Sequence, residues 1–242
     1  MRLFLAGALI AASSLTAACS ESHAEDGGPS ATRNYQIGNF QQIEVAGPYD
    51  VEVKTGPAIS VSARGGEKLL ERTTEELRGD RLVIRPENHH GFFNWSWGNR
   101  GSASFTITVP QLTGATIAGS GGIRVDRIAG QQFDGKVEGS GGLDLGTVDV
   151  QAFTLAIAGS GSAKAAGGKT QDAKYEIAGS GDVDAAAVQA QQLKVSIAGS
   201  GGVRAHASGT ADISILGAGD VDVAGGAKCN VSKAGSGNVR CS

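Results

Sequence analysis

Both tryptophans of this chain, two of its seven phenylalanines and two of its four histidines fall within residues 87–104, ENHHGFFNWSWGNRGSAS. Trp95, Trp97, Phe92 and Phe93 offer aromatic faces suited to a sugar ring or a partner surface. Such a concentration in a chain with 5% aromatics marks a candidate recognition loop. The same residues could instead tuck over the body of the protein as a lid, and the sequence leaves both readings open. His89 and His90 are adjacent, so in an extended segment they point to opposite sides and do not make a metal site alone. No metal and no cofactor is expected.

Other chemistry-bearing patterns are weaker. Gly168-Lys169-Thr170 resembles the end of a phosphate-binding loop, but Ala163 stands where the leading glycine is needed. Asp182 and Asp220 follow glycine triplets as in calcium-binding nonapeptide repeats, yet the period differs and most copies lack the aspartate. There is no Gly-x-Ser-x-Gly elbow. A formal charge of −3 lacks the basic excess of a nucleic-acid binder, so no nucleic-acid partner is expected. Cys229 and Cys241 stand six residues before and six after Gly235, the mirror placement expected of a disulfide in an exported chain.

The elements that position these residues announce themselves as a repeat. Gly-small-Gly triplets begin at Gly119, Gly139, Gly159, Gly179, Gly199, Gly217 and Gly235, at intervals of 20 four times and 18 twice. A fixed period in this range means stacked structural repeats. Apolar residues occupy the second and fourth places before each triplet's first glycine and the fourth and sixth after it, as in Leu155, Ile157, Ala163 and Ala165. That is the strand period of two. Each repeat therefore reads as strand, glycine corner, strand and a looser return. Connections this short exclude crossover helices between parallel strands.

The fifth residue after the first glycine decides how repeats meet. It reads Arg124, Asp144, Lys164, Asp184, Arg204, Asp222, Arg240, alternating in sign throughout. Consecutive coils stacked in register would set these about 4.8 Å apart, with opposite charges facing. Antiparallel hairpins turning at each triplet would give the column no reason to alternate. The expected fold is all-β, a right-handed parallel β-helix with ~20-residue coils in the C-terminal half. The corner serines would form a hydroxyl ladder. Corner N–H groups can in principle cradle an anion, but tight geometry is the simpler reason for small residues there.

Residues 40–110 keep the alternation without the triplet: Ile43/Val45, Val51/Val53, Ile59/Val61, Leu82/Ile84 and Phe105/Ile107/Val109. Less regular β-coils are expected here; residues 67–77 could be helical, but two short strands are the favoured reading. Residues 1–18 read as a secretion signal, too short for a spanning helix. Leu15-Thr16-Ala17-Ala18-Cys19 resembles a bacterial lipobox, with Thr16 where Leu is commoner, which makes Cys19 the expected lipid attachment site; cleavage after Ala24 is the alternative. Residues 19–35 read as a flexible tether, 36–242 as the solenoid domain and 227–242 as its cap coil.

Phe40-x-x-Ile43-x-Val45-x-Gly47-x-Tyr49-x-Val51-x-Val53, Leu69-Leu70, Gly79-Asp80-x-Leu82-x-Ile84 and Val109-Pro-x-Leu112 lead into the Gly-Ser-Gly repeats. Together they make the chain similar to the putative auto-transporter adhesin family with a head GIN domain. The resemblance implies a parallel β-helix in the bacterial envelope and supplies no catalytic or binding residue. The aromatic segment departs from the pattern. The expected function is a non-enzymatic envelope protein, most simply an outer-membrane lipoprotein, whose solenoid binds a surface glycan or protein. A soluble periplasmic or secreted protein is the alternative location. An envelope polysaccharide-active enzyme and a self-assembling homo-oligomeric module are the alternative functions.

Overall fold

The computed structural model describes residues 28–87 and 103–242. Its strands are β1 (Ser30–Tyr35), β2 (Gln42–Ala46), β3 (Asp50–Thr55), β4 (Ser60–Gly66), β5 (Thr73–Arg78), β6 (Arg81–Pro86), β7 (Ser104–Val109) and β8 (Gly114–Gly119). The coils follow as β9 (Gly122–Gly139), β10 (Gly142–Gly159), β11 (Ser162–Gly179), β12 (Asp182–Gly199) and β13 (Gly202–Gly217). β14 (Asp220–Ala224), β15 (Lys228–Gly235) and β16 (Val239–Cys241) complete the last turn, and one short helix, α1 (Glu67–Glu71), precedes β5.

β9 to β13 pair in parallel, each coil directly on the last. Pairing of β10 with β11 covers 142–145, 147–150 and 152–159, so each coil has three flat sides. The looser return expected after each corner is thus a paired strand in its own right, the segment 147–150 in this coil. Ile117, Val137, Ile157, Ile177, Ile197 and Ile215 stack inside, each nearly inaccessible to water. Every one of these alternate positions removes a branched side chain from water, which stabilises by roughly 1.5–3 kcal/mol for full burial. The shortening from 20 to 18 residues is absorbed where β12 meets β13, by irregular register between Ala185 and Gln192.

Two glycines per corner are required for different reasons. The first adopts a positive φ, +129° at Gly159. The third lies against the coil before it: a Cβ on Gly161 would sit 2.5 Å from the Gly141 carbonyl oxygen. The N–H groups between them are already used. Ser160 N–H donates to the Gly139 carbonyl and Ser180 N–H to that of Gly159, each at 2.9 Å. The corners are therefore ladders between coils and not open anion cradles.

Volume inside is traded between neighbouring columns. Phe133 stacks on Phe153 with centroids 6.3 Å apart, and Phe153 meets Tyr175 edge-on at 6.0 Å. The aromatic moves over by two residues between the second and third of these coils, where Ala173 takes the phenylalanine column and Tyr175 the leucine column. Gly135 makes room at the start: a Cβ there would come within 2.7 Å of both Leu143 and Leu155. Dense packing of this kind leaves no slack for enlargement.

The N-terminal part is a mixed sheet. β2 pairs in parallel with β6 and β8, and β3 with β7 and β9, while β1–β4, β4–β7 and β5–β6 are antiparallel. Two expectations need correction. Ser30–Tyr35, placed in the tether, is a strand on β4, because Ala31, Arg33 and Tyr35 alternate inward. The first part of residues 67–77 is helical and only the second is a strand. Adjacent Leu69 and Leu70 cannot share one face of a strand, whereas a helical turn brings both onto the core.

Candidate functional surface

Trp95, Trp97, Phe92, Phe93, His89 and His90 lie outside the described residues, as do Cys19 and the signal segment. The strands on either side of the aromatic segment are well anchored. Glu87 N–H donates to the Arg72 carbonyl at 2.7 Å, and Asp50 N–H to that of Ala103 at 3.3 Å. Ala103 is buried.

Around these anchors lies an aromatic and polar cluster that the sequence did not disclose. Phe105 on β7 stacks with Tyr35 at 6.4 Å and meets Tyr49 edge-on at 5.8 Å. Tyr49 Oη shares a hydrogen bond of 3.1 Å with Thr73 Oγ1, which donates to the Leu69 carbonyl. Glu75 on β5 turns the same way. Its Oε1 and Tyr35 Oη are both shielded from solvent and make no well-formed hydrogen bond, yet they lie near enough for the phenol to favour the carboxylate. Burial pushes the Tyr35 phenol up to about 12, with the Glu75 carboxylate beside it acting the same way. Burial also raises the Glu75 carboxyl above its usual range, against the lowering pull of Tyr35 and Arg33. Among the described residues, no cluster of three His, Cys, Asp or Glu side chains suited to a metal accompanies this carboxyl.

The charged column is as expected and one coil longer. Arg124, Asp144, Lys164, Asp184, Arg204, Asp222 and Arg240 are successive register partners, and Glu52 of β3 precedes Arg124. Arg204 reaches Asp184 at 2.9 Å and Arg124 reaches Asp144 at 3.6 Å. Beside this column, Asp182 accepts from Gly202 N–H at 2.9 Å and Asp220 from Asn238 N–H at 2.8 Å. Those aspartates, reminiscent of calcium repeats, hold the next coil in place. Thr170 likewise faces inward and donates to the Gln151 carbonyl at 3.0 Å, so Gly168-Lys169-Thr170 is a ladder segment and not a phosphate loop.

The side preceding each corner is different. Its outward residues on the middle coil are Ala152, Thr154, Ala156 and Ala158, and Ala156 and Ala158 form the floor of a shallow groove of about 350 Å³ walled by Lys136, Glu138 and Glu176. Ala178, Ala198 and Leu216 continue it, with Leu216 65% exposed.

At the C-terminal end Cys229 and Cys241 are disulfide-bonded, with Cα atoms 6.6 Å apart. They sit under Ala211 and Val223, so the bond closes the last coil across its narrow end. Lys233 takes the column that holds isoleucine in the coils before it and donates to the Gly237 carbonyl at 2.6 Å. A charge turned inward at a terminal strand discourages further strand addition.

Residues 39–227 match the model of the family described as putative auto-transporter adhesin, head GIN domain, and the chain belongs to that family. The family's description names a putative adhesin and no catalytic activity. No curated protein matches the chain. Among solved structures, a putative adhesin from Bacteroides fragilis NCTC 9343 is 19% identical with a TM-score of 0.79, over 89% of this chain and 99% of that one. A putative lipid binding protein from Parabacteroides distasonis ATCC 8503 is 24% identical with a TM-score of 0.73, over 90% and 98%. A putative adhesin from Parabacteroides merdae ATCC 43184 is 17% identical with a TM-score of 0.68, over 90% and 98%. At these identities the likeness is one of fold.

Proposed function

We propose that the protein is an exported, non-enzymatic component of the cell envelope that presents its solenoid as a rigid surface for adhesion to a glycan or protein. The observation that carries this reading is the Cys229–Cys241 disulfide in a member of an adhesin family. Disulfides persist in oxidising compartments, which supports an exported location for such a chain. A stack whose outward charges are paired coil to coil serves as a scaffold, and the aromatic segment at 87–104 is the proposed recognition element. Cys19 is the proposed lipid anchor, and Trp95 and Trp97 the proposed contact residues.

The test joins binding to stability. Trp95→Ala/Trp97→Ala is expected to lose binding to envelope glycans or whole cells while melting within about 2 °C of the parent, since an exposed segment contributes few buried contacts. A loss of several kcal/mol would instead make the segment a packed lid. Turnover of any glycan in a panel of envelope polysaccharides would overturn the non-enzymatic reading. Labelled fatty acid should enter the parent and not Cys19→Ser.

A further inference from the structure

The groove on the side preceding the corners has a charge pattern that is its own complement. Outward residues on this side read Gln132, Asp134, Lys136, Glu138 on β9; Ala152, Thr154, Ala156, Ala158 on β10; and Asp172, Lys174, Glu176, Ala178 on β11. Beyond them come Gln192, Lys194, Ser196, Ala198 on β12 and Thr210, Asp212, Ser214, Leu216 on β13. Toward the N-terminus lie Gly114, Thr116, Ala118 on β8 and Gln42, Glu44, Ala46 on β2.

A two-fold axis lying in this surface along the 152–158 segment reverses the order of coils and keeps each residue's place along its strand. It sets Asp134 opposite Lys174 of a second copy, and Lys136 opposite Glu176, each twice by symmetry. Ala152, Thr154, Ala156 and Ala158 face their own copies, and all are small. Thr116 falls on Ser196, Ala118 on Ala198, and exposed Leu216 on Ala46. No like charges oppose one another. Within one chain Lys174 and Glu176 already bridge at 2.9 Å, so each meeting point becomes a four-charge cluster of alternating sign.

Of the other axes parallel to the strands, from 152–158 as far as 192–198, none sets two types of ion pair in opposition without also opposing like charges. An axis along 172–178 would set Asp172, Lys174 and Glu176 each against itself, and one along 192–198 would do so to Lys194. An axis midway between them opposes Lys174 and Lys194. A placement midway between 152–158 and 172–178 leaves a single ion-pair type, Asp134 with Lys194, and puts Glu176 on Ala156. The matched face has seven strands, hence about 29 Å along the stack, by about 20 Å along the strands. It would bury about 1,200 Å² in all, at the lower end of specific dimers.

We infer that this protein forms a symmetric homodimer through the outward face of these segments, with Ala156 on the two-fold axis. The interface is isologous, as expected for a closed pair. Sedimentation of the purified protein over a concentration series at low ionic strength tests it. Lys136→Glu is expected to weaken the dimer by about tenfold or more, and Lys136→Glu/Glu176→Lys to restore it to within about threefold, because the swapped pair again opposes across the axis. Ala156→Arg is expected to give monomers, since two guanidinium groups would meet on the axis. All these positions are exposed or half-buried on a strand face, and a thermal melt confirms that each variant is folded. A parent that stays monomeric at its highest soluble concentration overturns the inference, as does a dimer indifferent to Ala156→Arg or one that the charge swap fails to restore. A monomer whose groove instead takes up an added glycan would overturn it in favour of a ligand site.

Discussion

Arg204 reaches back one coil to bring its guanidinium 2.9 Å from the carboxylate of Asp184. Asp184 is also in register with Lys164 on its other side. Asp184→Lys would therefore set three cations in succession up one edge. Asp172→Lys makes the same change of charge beside Gln192 and Ala152. The expected result is that Asp184→Lys costs about 1 kcal/mol more than Asp172→Lys at low salt, with the gap closing as salt is added. Paired thermal melts at two ionic strengths measure it. Equal shifts at low salt would show that the column does not contribute to stacking.

Closure of the last coil should be measurable in the same way. The Cys229–Cys241 bond spans 12 residues of sequence. Constraining a loop of that size in the unfolded chain is worth about 3 kcal/mol by chain entropy. Cys229→Ser/Cys241→Ser is expected to lose roughly 2–3 kcal/mol, with fraying that begins at β15 and β16. Hydrogen exchange should show lost protection there before any change in β9 to β11. Two free thiols in the freshly isolated parent protein would refute the bond itself.

The repeat half was legible because each of its signals is local. The glycine spacing fixes the coil length, the apolar alternation fixes the inward face, and the sign alternation from Arg124 to Arg240 fixes parallel in-register stacking. Glu52 belongs to the same column but could not be found, because β3 joins the stack from a strand about 70 residues earlier in the chain. The N-terminal part was legible strand by strand but not in its pairing. Nothing in the run of Val61 and Ala63 says that β4 lies antiparallel to β1 and β7. Glu75 was hidden for a related reason. Its sequence neighbours are polar, and only the β5–β6 hairpin turns it toward Tyr35 and Tyr49. The candidate site is therefore less readable than the scaffold, since chemistry here depends on contacts made across the mixed sheet.

A corner glycine, Gly161, and a turn glycine between β14 and β15, Gly226, make a sharper distinction than sequence alone allows. Gly161 has no positive φ, yet a Cβ there would press on both the Gly141 carbonyl and Val137. Gly226 has a φ of +75° but nothing within 4 Å. Gly226→Ala should cost only the left-handed backbone penalty, about 1–2 kcal/mol. Gly161→Ala should cost more, about 3 kcal/mol or above, because two coils must separate to admit one methyl group. The expected order in urea midpoints is parent, Gly226→Ala, then Gly161→Ala. The reverse order would mean that the close approach of coils at Gly161 costs less than a strained backbone at a free turn.

The Glu75 carboxyl gives the fold a pH dependence of definite sign. Its pKa is raised in the folded protein, chiefly by burial, while its unfolded value is the ordinary one near 4.3. The folded state thus holds this proton more tightly than the unfolded chain does. The resulting stabilisation is fully present below about pH 4.3 and is lost as pH rises through the raised folded value. Glu76, on the facing side of the same strand, is shifted the other way by its hydrogen bond with Arg78, and its contribution is present above the ordinary range and lost on acidification. The two opposing slopes can be separated by substitution. Glu75→Gln removes the first, so it should raise the melting temperature at neutral pH relative to the parent and lower or erase that advantage at pH 4. Gln at this position keeps an acceptor and a donor for Tyr35 without a buried charge. A Glu75→Gln protein that tracks the parent at every pH would mean that the carboxylate is solvated in the folded state and that the polar cluster around Tyr35 and Tyr49 is open to water.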